Sequence, residues 1–425
     1  MASTAFDTSL EFAREMDARD PMSECRSQFF IPRKKDGSEA VYLCGHSLGL
    51  QPRRVAEYIQ QELKDWAELG VEGHFHGKNP WMPYHRLLTE QTARLVGAKP
   101  IEVVVMNTLT VNLHLMMVSF YRPTPGRRKI VIEGGAFPSD QYAVKSQIEF
   151  HGFDVRDSLI ELRPRDGEDC LRESDIVELL AREGESIALV MLGGVNYATG
   201  QAFDMETITR AGHAKRCVVG WDLAHAAGNL RLQLHDWGPD FAVWCSYKYL
   251  NGGPGCVAGC FVHERHARAF DLPRFAGWWG HDQETRFKMG PEFRAMQGAE
   301  GWQLSNPPIV ALAALRASMD IFDEAGMEAL RSRSVSLTGY MEFLLEQSGR
   351  RFATLTPGEP ERRGAQLSLR VSGGRGVCDR LIGNGVICDW REPDILRVAP
   401  MPLYNSYEDV YRFVEALESQ NLSRG

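Results

Sequence analysis

Two stretches decide how the chain is read: Cys217-Val218-Val219-Gly220-Trp221-Asp222-Leu223-Ala224-His225 and Phe241-Ala242-Val243-Trp244-Cys245-Ser246-Tyr247-Lys248-Tyr249. Each begins as a short apolar run, the pattern of a strand buried on both faces. Each then reaches a residue type that does chemistry: Asp222 closes the first run, and Lys248 follows the second, 26 residues after the aspartate. Working outward, further runs at Val103–Met106, Ile130–Ile132, Ile187–Leu192 and Val257–Val262 alternate with periodic, charged segments. Alternating buried strands and helices predict an α/β domain with a largely parallel sheet. Ligands of such sheets gather at the carboxyl ends of the strands.

On either side of this region the pattern changes. Arg53, Val55, Tyr58, Ile59, Leu63, Trp66 and Leu69 are spaced for a surface helix over 53–70, with Pro52 suited to its start. After Pro307-Pro308 an Ala/Leu-rich helix over Ile309 to Ala325 leads into a second unit. That unit has strands near Leu367–Val371, Val386–Asp389 and Leu396–Ala399 and a last helix from Glu408 to Glu418. The expected division is an N-terminal segment, 1–55, packing with a smaller C-terminal α/β domain, 307–425, and a large domain over 56–306.

Composition narrows the function. A chain of 425 residues with 44% hydrophobic content can bury a large core, and its formal charge of −8 disfavours a nucleic-acid or membrane-surface role, which needs a basic face. Met1 to Asp20 has no apolar run of the secretory kind, and nothing approaches a membrane span. Nine scattered cysteines read as reduced thiols of a cytoplasmic protein. A small-molecule enzyme is the expectation.

A lysine desolvated beside aromatic residues at a strand end suits Schiff-base chemistry. A neighbouring aspartate can keep a pyridinium nitrogen protonated. Asp222 and Lys248 together describe a pyridoxal-phosphate (PLP) site, although spacing alone is equally compatible with a helix cap and a surface lysine. Asn107-Thr108-Leu109-Thr110 opens a helix after Val103–Met106, placing hydroxyls and free N–H groups where phosphate can bind; either threonine could equally be a plain N-cap. Ala136-Phe137-Pro138-Ser139-Asp140 could lay a ring over a flat cofactor or be a turn with Asp140 capping the next helix.

In this order, the motifs resemble those of the kynureninases, PLP enzymes of the aspartate-aminotransferase fold (fold type I), over essentially the whole length. The resemblance rests on Met106–Leu115, Ala136–Asp140, Asp222–Ala226, Trp244–Asn251, Gly277-Trp278 with Gly280-His281, Ser305-Asn306-Pro307-Pro308 and Arg397–Ser406. It implies hydrolytic Cβ–Cγ cleavage of L-kynurenine or 3-hydroxy-L-kynurenine to L-alanine and an anthranilate, in tryptophan catabolism or NAD precursor synthesis.

It further implies Lys248 as the Schiff-base lysine, Asp222 on the pyridine nitrogen, Phe137 stacked on the ring and His225 near the ring oxygen. Leu109, Thr110 and Tyr247 would hold the phosphate, and Tyr247 is also the candidate for proton transfer. Trp278 and Asn306 would reach in to contact the cofactor from the other subunit of a homodimer with shared active sites. Asp140 and Gly193 fall at cofactor-contact positions, the latter often a serine in the family. Arg397 is the expected clamp for the substrate carboxylate, a task its planar fork suits. His74 and Asn306 resemble the pair that hydrogen-bonds a ring hydroxyl in enzymes favouring the 3-hydroxy substrate.

Other readings are weaker. His74-Phe75-His76 and the pair Cys256 and Cys260 lack the spacing of a metal site, so none is expected. Asn251-Gly252-Gly253-Pro254-Gly255 precedes a strand rather than a helix and reads as a tight turn. A cysteine desulfurase on the same fold needs a mobile cysteine, whereas Cys388 reads as a buried strand thiol; an aminotransferase would differ in its products. A non-catalytic PLP-binding regulator would need an effector segment.

Overall fold

The computed structural model describes residues 6–348 and 352–420. The first five residues of the Met1–Asp20 stretch therefore lie outside the described part. The remainder carries a helix, Leu10–Arg19, capped by the Ser9 side chain, which accepts from the Phe12 N–H. A two-residue strand, β1 (Val41–Tyr42), follows, and then the helix Val55–Leu69.

Seven strands build the central sheet: β2 (Val103–Val105), β3 (Lys129–Glu133), β4 (Leu159–Leu162), β5 (Ile187–Gly193), β6 (Val218–Asp222), β7 (Phe241–Trp244) and β8 (Gly259–Val262). Their order is β2-β8-β7-β6-β5-β3-β4. The pairs β4/β3, β3/β5, β5/β6 and β6/β7 are parallel, and only β8 runs against its two neighbours. The sheet is buried on both sides because alternate residues of the same strands enter different cores. Val131, Val190, Leu192, Val219, Trp221, Ala242 and Trp244 pack on one face, and Ile130, Ile132, Leu189, Met191, Phe241 and Val243 on the other. That two-sided burial explains the continuous apolar runs.

From β3 the chain continues outward to β4 on one side, then returns to add β5, β6 and β7 on the other. The order reverses between β3 and β5, so a crevice opens beyond the carboxyl ends of those strands.

The second core gathers Leu337, Tyr340, Met341, Leu367, Leu369, Val377, Leu396, Val398, Val410 and Phe413 with Ala13, Val41 and Leu43 from the N-terminal segment. Its sheet joins β9 (Ala353–Thr354), β10 (Leu367–Arg370), β12 (Asp389–Arg391) and β13 (Ile395–Val398) in the antiparallel order β12-β13-β10-β9, while β11 (Val386–Ile387) pairs with β1. The helix Ile309–Ala325 has the predicted bounds, yet its Leu312, Ala313 and Leu315 pack into the first core. The second core draws instead on the longer helix Met327–Gln347.

Candidate active site

The carboxyl ends of β3, β5 and β6 and the turn after β7 bring Glu133, Gly193, Asp222 and Lys248 to one cavity beside the topological reversal. Leu109, Thr110, Phe137, Ser139, Asp140, Asn196, Tyr197, His225 and Tyr247 also line it. Register explains part of this: Gly193 pairs with Asp222, and Asp222 with Val243, so the strands finish nearly level.

Lys248 is aimed by its own turn. Asn251 and Gly252 N–H donate back to the Lys248 and Ser246 carbonyls, at 3.1 and 2.9 Å, and Asn251 and Gly253 take the positive φ values (53° and 94°) that a tight turn needs. The N-terminal segment braces the turn through Gly49, whose N–H donates to the Tyr247 carbonyl at 2.8 Å; a Cβ on Gly49 would lie 2.3 Å from the Lys248 carbonyl oxygen. Lys248 Nζ lies 3.0 Å from His225 Nε2, 5.8 Å from the Phe137 ring centre and 5.9 Å from that of Tyr247. Burial, with the charges of Lys248 and Arg397, holds His225 well below the usual imidazole range, so a neutral Nε2 accepts from Lys248.

The opposite wall is acidic. Burial pushes the Glu133 carboxyl up to about 7, with the Asp222 charge adding to it, and Asp140 is raised by burial and by contact with Asp222. Asp222 is raised by burial, against the Ala224 N–H, which donates to Oδ1 at 2.7 Å, and the charge of Lys248. Two atoms here are buried without a partner, Asp140 Oδ1 and His225 Nδ1. Asp140 therefore does not cap the helix Pro138–Phe150 in which it stands.

Two helices point their N-termini at the cavity, Leu109–Phe120 and Pro138–Phe150. Thr108, the N-cap of the first, makes no side-chain capping bond, and Thr110 Oγ1 instead meets Ser139 Oγ at 2.7 Å. Unmet N–H groups and the helix dipole favour an anion at this end.

Arg397 is buried on β13, outside the cavity wall and behind Tyr197. Its guanidinium pairs with Asp389, donates from Nη1 to the Tyr197 carbonyl at 2.6 Å and leaves Nε without a partner. The completely buried His46 lies 3.5 Å from Asp389, and burial pushes its imidazole down to about 4. Trp278, Asn306 and His74 do not line the cavity of their own chain. Trp278 and Asn306 are exposed, and His74 Nδ1 is 3.0 Å from the Val71 carbonyl. Cys388 is buried, with its Sγ 3.6 Å from that of Cys378.

Sequence reading missed Glu133, Asn196 and Tyr197. Only the position of Glu133, at the end of a buried strand, could have drawn attention to it.

The cavity offers an anion site at the helix ends, an aromatic face, a lysine amine and, across from it, the buried Asp222 with Asp140, whose buried Oδ1 lacks a donor. Those features fit a flat pyridine ring carrying a phosphate and an amine-reactive carbonyl. Fold and pocket thus define the class: a PLP-dependent enzyme of fold type I.

Solved structures similar in fold include a cysteine desulfurase from Thermococcus onnurineus (TM-score 0.76, 18% identity, 94% of this chain and 98% of that one). A C-DES variant with glycine covalently linked to its PLP cofactor has TM-score 0.77 at 16% identity, covering 93% of this chain and 99% of that one. Sequence comparison goes further. A kynureninase of Koribacter versatilis is 72% identical over 417 residues, covering 98% of both chains. One of Myxococcus xanthus is 65% identical, covering 97% of both, and one of Nematostella vectensis is 50% identical, covering 97% of this chain and 94% of its own. The model of the kynureninase C-terminal domain matches residues 330–417. The chain belongs to the kynureninase family.

Proposed function

We propose that the chain hydrolyses the Cβ–Cγ bond of L-kynurenine and of 3-hydroxy-L-kynurenine, releasing L-alanine and an anthranilate, with PLP held in the cavity under Lys248. The observation that carries the reading is Lys248 Nζ placed between a neutral His225 and the Phe137 face, opposite the buried Asp222. When bound, PLP supplies an electron sink for negative charge at the substrate α-carbon. The chain's residues do the rest.

The helix end at Leu109 and Thr110, with Tyr247, would hold the phosphate. Asp222, with Asp140 beside it, would pair with the ring nitrogen, Phe137 would offer its face to the ring, and the unpartnered Nδ1 of His225 would serve the ring oxygen. Gly193 would offer backbone alone to the cofactor. Lys248 Nζ takes the α-proton, and His225 Nε2 keeps that amine in place between turnovers. Burial raises the Tyr247 phenol above its ordinary value, so it stays protonated and can deliver a proton at Oη during carbon–carbon cleavage. Arg397 receives the substrate α-carboxylate.

His74, Trp278 and Asn306 act across a homodimer interface, each serving the other subunit's site. An open apolar groove of about 1020 Å³ supports this: Leu48, Leu50 and Ile309 line it, and it runs from Gly49 and Asn251, which brace the Lys248 turn, to Pro308, two residues from Asn306. His74 and the Asn306 amide would pair the 3-hydroxyl of 3-hydroxy-L-kynurenine, which the chain at least accepts. No described helix is long and apolar enough to cross a membrane. The reading places the enzyme in the cytoplasm, in tryptophan breakdown or NAD precursor supply.

The test is turnover of both substrates by the PLP-loaded protein, followed by anthranilate fluorescence and alanine release. Equimolar alanine and anthranilate support the reaction. A keto-acid product removes the reaction, and kcat/KM for kynurenine far above that for the hydroxylated substrate removes the role of His74 and Asn306.

A further inference from the structure

Glu133 has no part in the roles assigned above, yet it closes β3 at the reversal of strand order and is only 3% exposed. Its Oε1 accepts the Gly193 N–H at 2.9 Å, and its Oε2 accepts from Asn196 Nδ2 at 2.5 Å. Asn196 in turn folds the following turn, because its Oδ1 accepts the N–H groups of Ala198 and Thr199, both at 2.9 Å.

The three carbonyls of that turn accept hydrogen bonds from side chains of the C-terminal unit. The Tyr197 carbonyl accepts from Arg397 Nη1 at 2.6 Å and from Gln366 Nε2 at 2.9 Å, that of Ala198 from Ser368 Oγ at 2.6 Å, and that of Thr199 from Thr356 Oγ1 at 2.5 Å. The Tyr197 ring meets Phe137 edge-on, with centres 5.3 Å apart and planes at 81°. A single turn therefore touches the aromatic face of the cofactor cavity at one end and the expected carboxylate clamp at the other.

We propose that Glu133 is a positioning residue for the reaction: by holding Gly193 and Asn196 it fixes the Tyr197 carbonyl that aims Arg397, and so sets where the substrate α-carboxylate sits relative to Lys248. The inference rests on the reading of Arg397 as the carboxylate clamp. Gly193 belongs to the same device. A Cβ there would stand 2.9 Å from Glu133 Oε1, so a bare glycine is what lets the carboxylate close on the backbone.

In Glu133→Gln the amide nitrogen faces one of the two donors, so one of the two bonds is lost. The holoenzyme is titrated with L-alanine, which carries the α-carboxylate, and with anthranilate, which lacks the amino-acid end. Misplacing a clamp by a fraction of an ångström is expected to weaken L-alanine about tenfold and raise KM more than it lowers kcat, with anthranilate inhibition unchanged. Gly193→Ala, which displaces the carboxylate, and Asn196→Ala, which cuts the link, should show the same split; either replaces Glu133→Gln if that variant does not fold.

Equal weakening of both ligands, or of neither, overturns the proposal. Arg397→Ala separates the two layers. If it weakens L-alanine while the Glu133 variants do not, positioning by Glu133 is wrong and the clamp stands. If it leaves L-alanine binding intact, the clamp assignment falls and the inference falls with it.

Discussion

Asp222 and Asp240 sit at opposite ends of the same sheet, one closing β6 and the other just before β7, and both are buried (7% and 6% exposed). Their surroundings treat them oppositely. Asp240 collects donors: Val219 N–H at 2.8 Å, His213 at 2.9 Å, His266 at 2.8 Å and Arg265 at 3.3 Å. Burial works against its charge, but these bonds win and hold the carboxyl well below its ordinary range. Asp222 has the Ala224 N–H, the charge of Lys248 and contact with Asp140 to favour its charged form, and burial outweighs them, so its carboxyl is raised. A buried acid with a full set of donors belongs to the scaffold; one left short of them is waiting for a ligand.

Replacing Lys248 by Ala tests the ligand end most severely. Loss of the amine should lower kcat by on the order of 10⁴-fold while leaving the thermal midpoint of the apoprotein within a few degrees of wild type. Residual turnover within tenfold would remove Lys248 from the centre of the site. Asp222→Asn keeps the shape and removes the charge proposed to pair with the ring nitrogen. It should cost on the order of 10²-fold to 10³-fold in kcat, with stability in denaturant unchanged or slightly higher.

Asp240→Asn should do the reverse, costing about 3 kcal/mol of stability by breaking a buried charge cluster while kcat and KM stay near wild type. pH sharpens the contrast. Because the folded value of Asp240 is depressed, its stabilisation is present above about pH 3.9, its unfolded value, and is lost as pH falls through the lower folded value. The stability gap between wild type and Asp240→Asn should therefore close in acid. The raised value of Asp222 has the opposite sign: between its unfolded and folded values, its contribution declines as pH rises. Acid unfolding curves of the two asparagine variants with the same slope relative to wild type would break the comparison. The smallest expected effect is at Asn306, where alanine should lower kcat/KM for 3-hydroxykynurenine about fivefold, one hydrogen bond's worth, and leave kynurenine nearly untouched.

Legibility followed the range of the interactions. The strands around Asp222 and Lys248 were plain because burial on both faces writes itself into consecutive residues, and the helix Ile309–Ala325 because its start and periodicity are local. Leu159–Leu162 escaped notice: three of its four residues are only partly buried and Glu161 interrupts the run, so no apolar stretch marks this edge strand. Lys248 and Asp222, singled out as residue types at strand ends, do line one cavity. The contacts of Glu133 with Gly193, across 60 residues, and of Arg397 with the Tyr197 carbonyl, across 200, leave no mark in the local sequence.

The sequence by itself determined the sheet strands that bury both faces, the tight turn after Lys248 and, through motifs spread along the chain, the family and its reaction. Tertiary structure alone decided which acids lack donors, which glycine gives a carboxylate room, and how the turn at Tyr197 joins the cavity to Arg397. Hydrophobic periodicity is a property of neighbours in the chain. Donor counts, close approaches and field strengths depend on which distant segments the fold brings together.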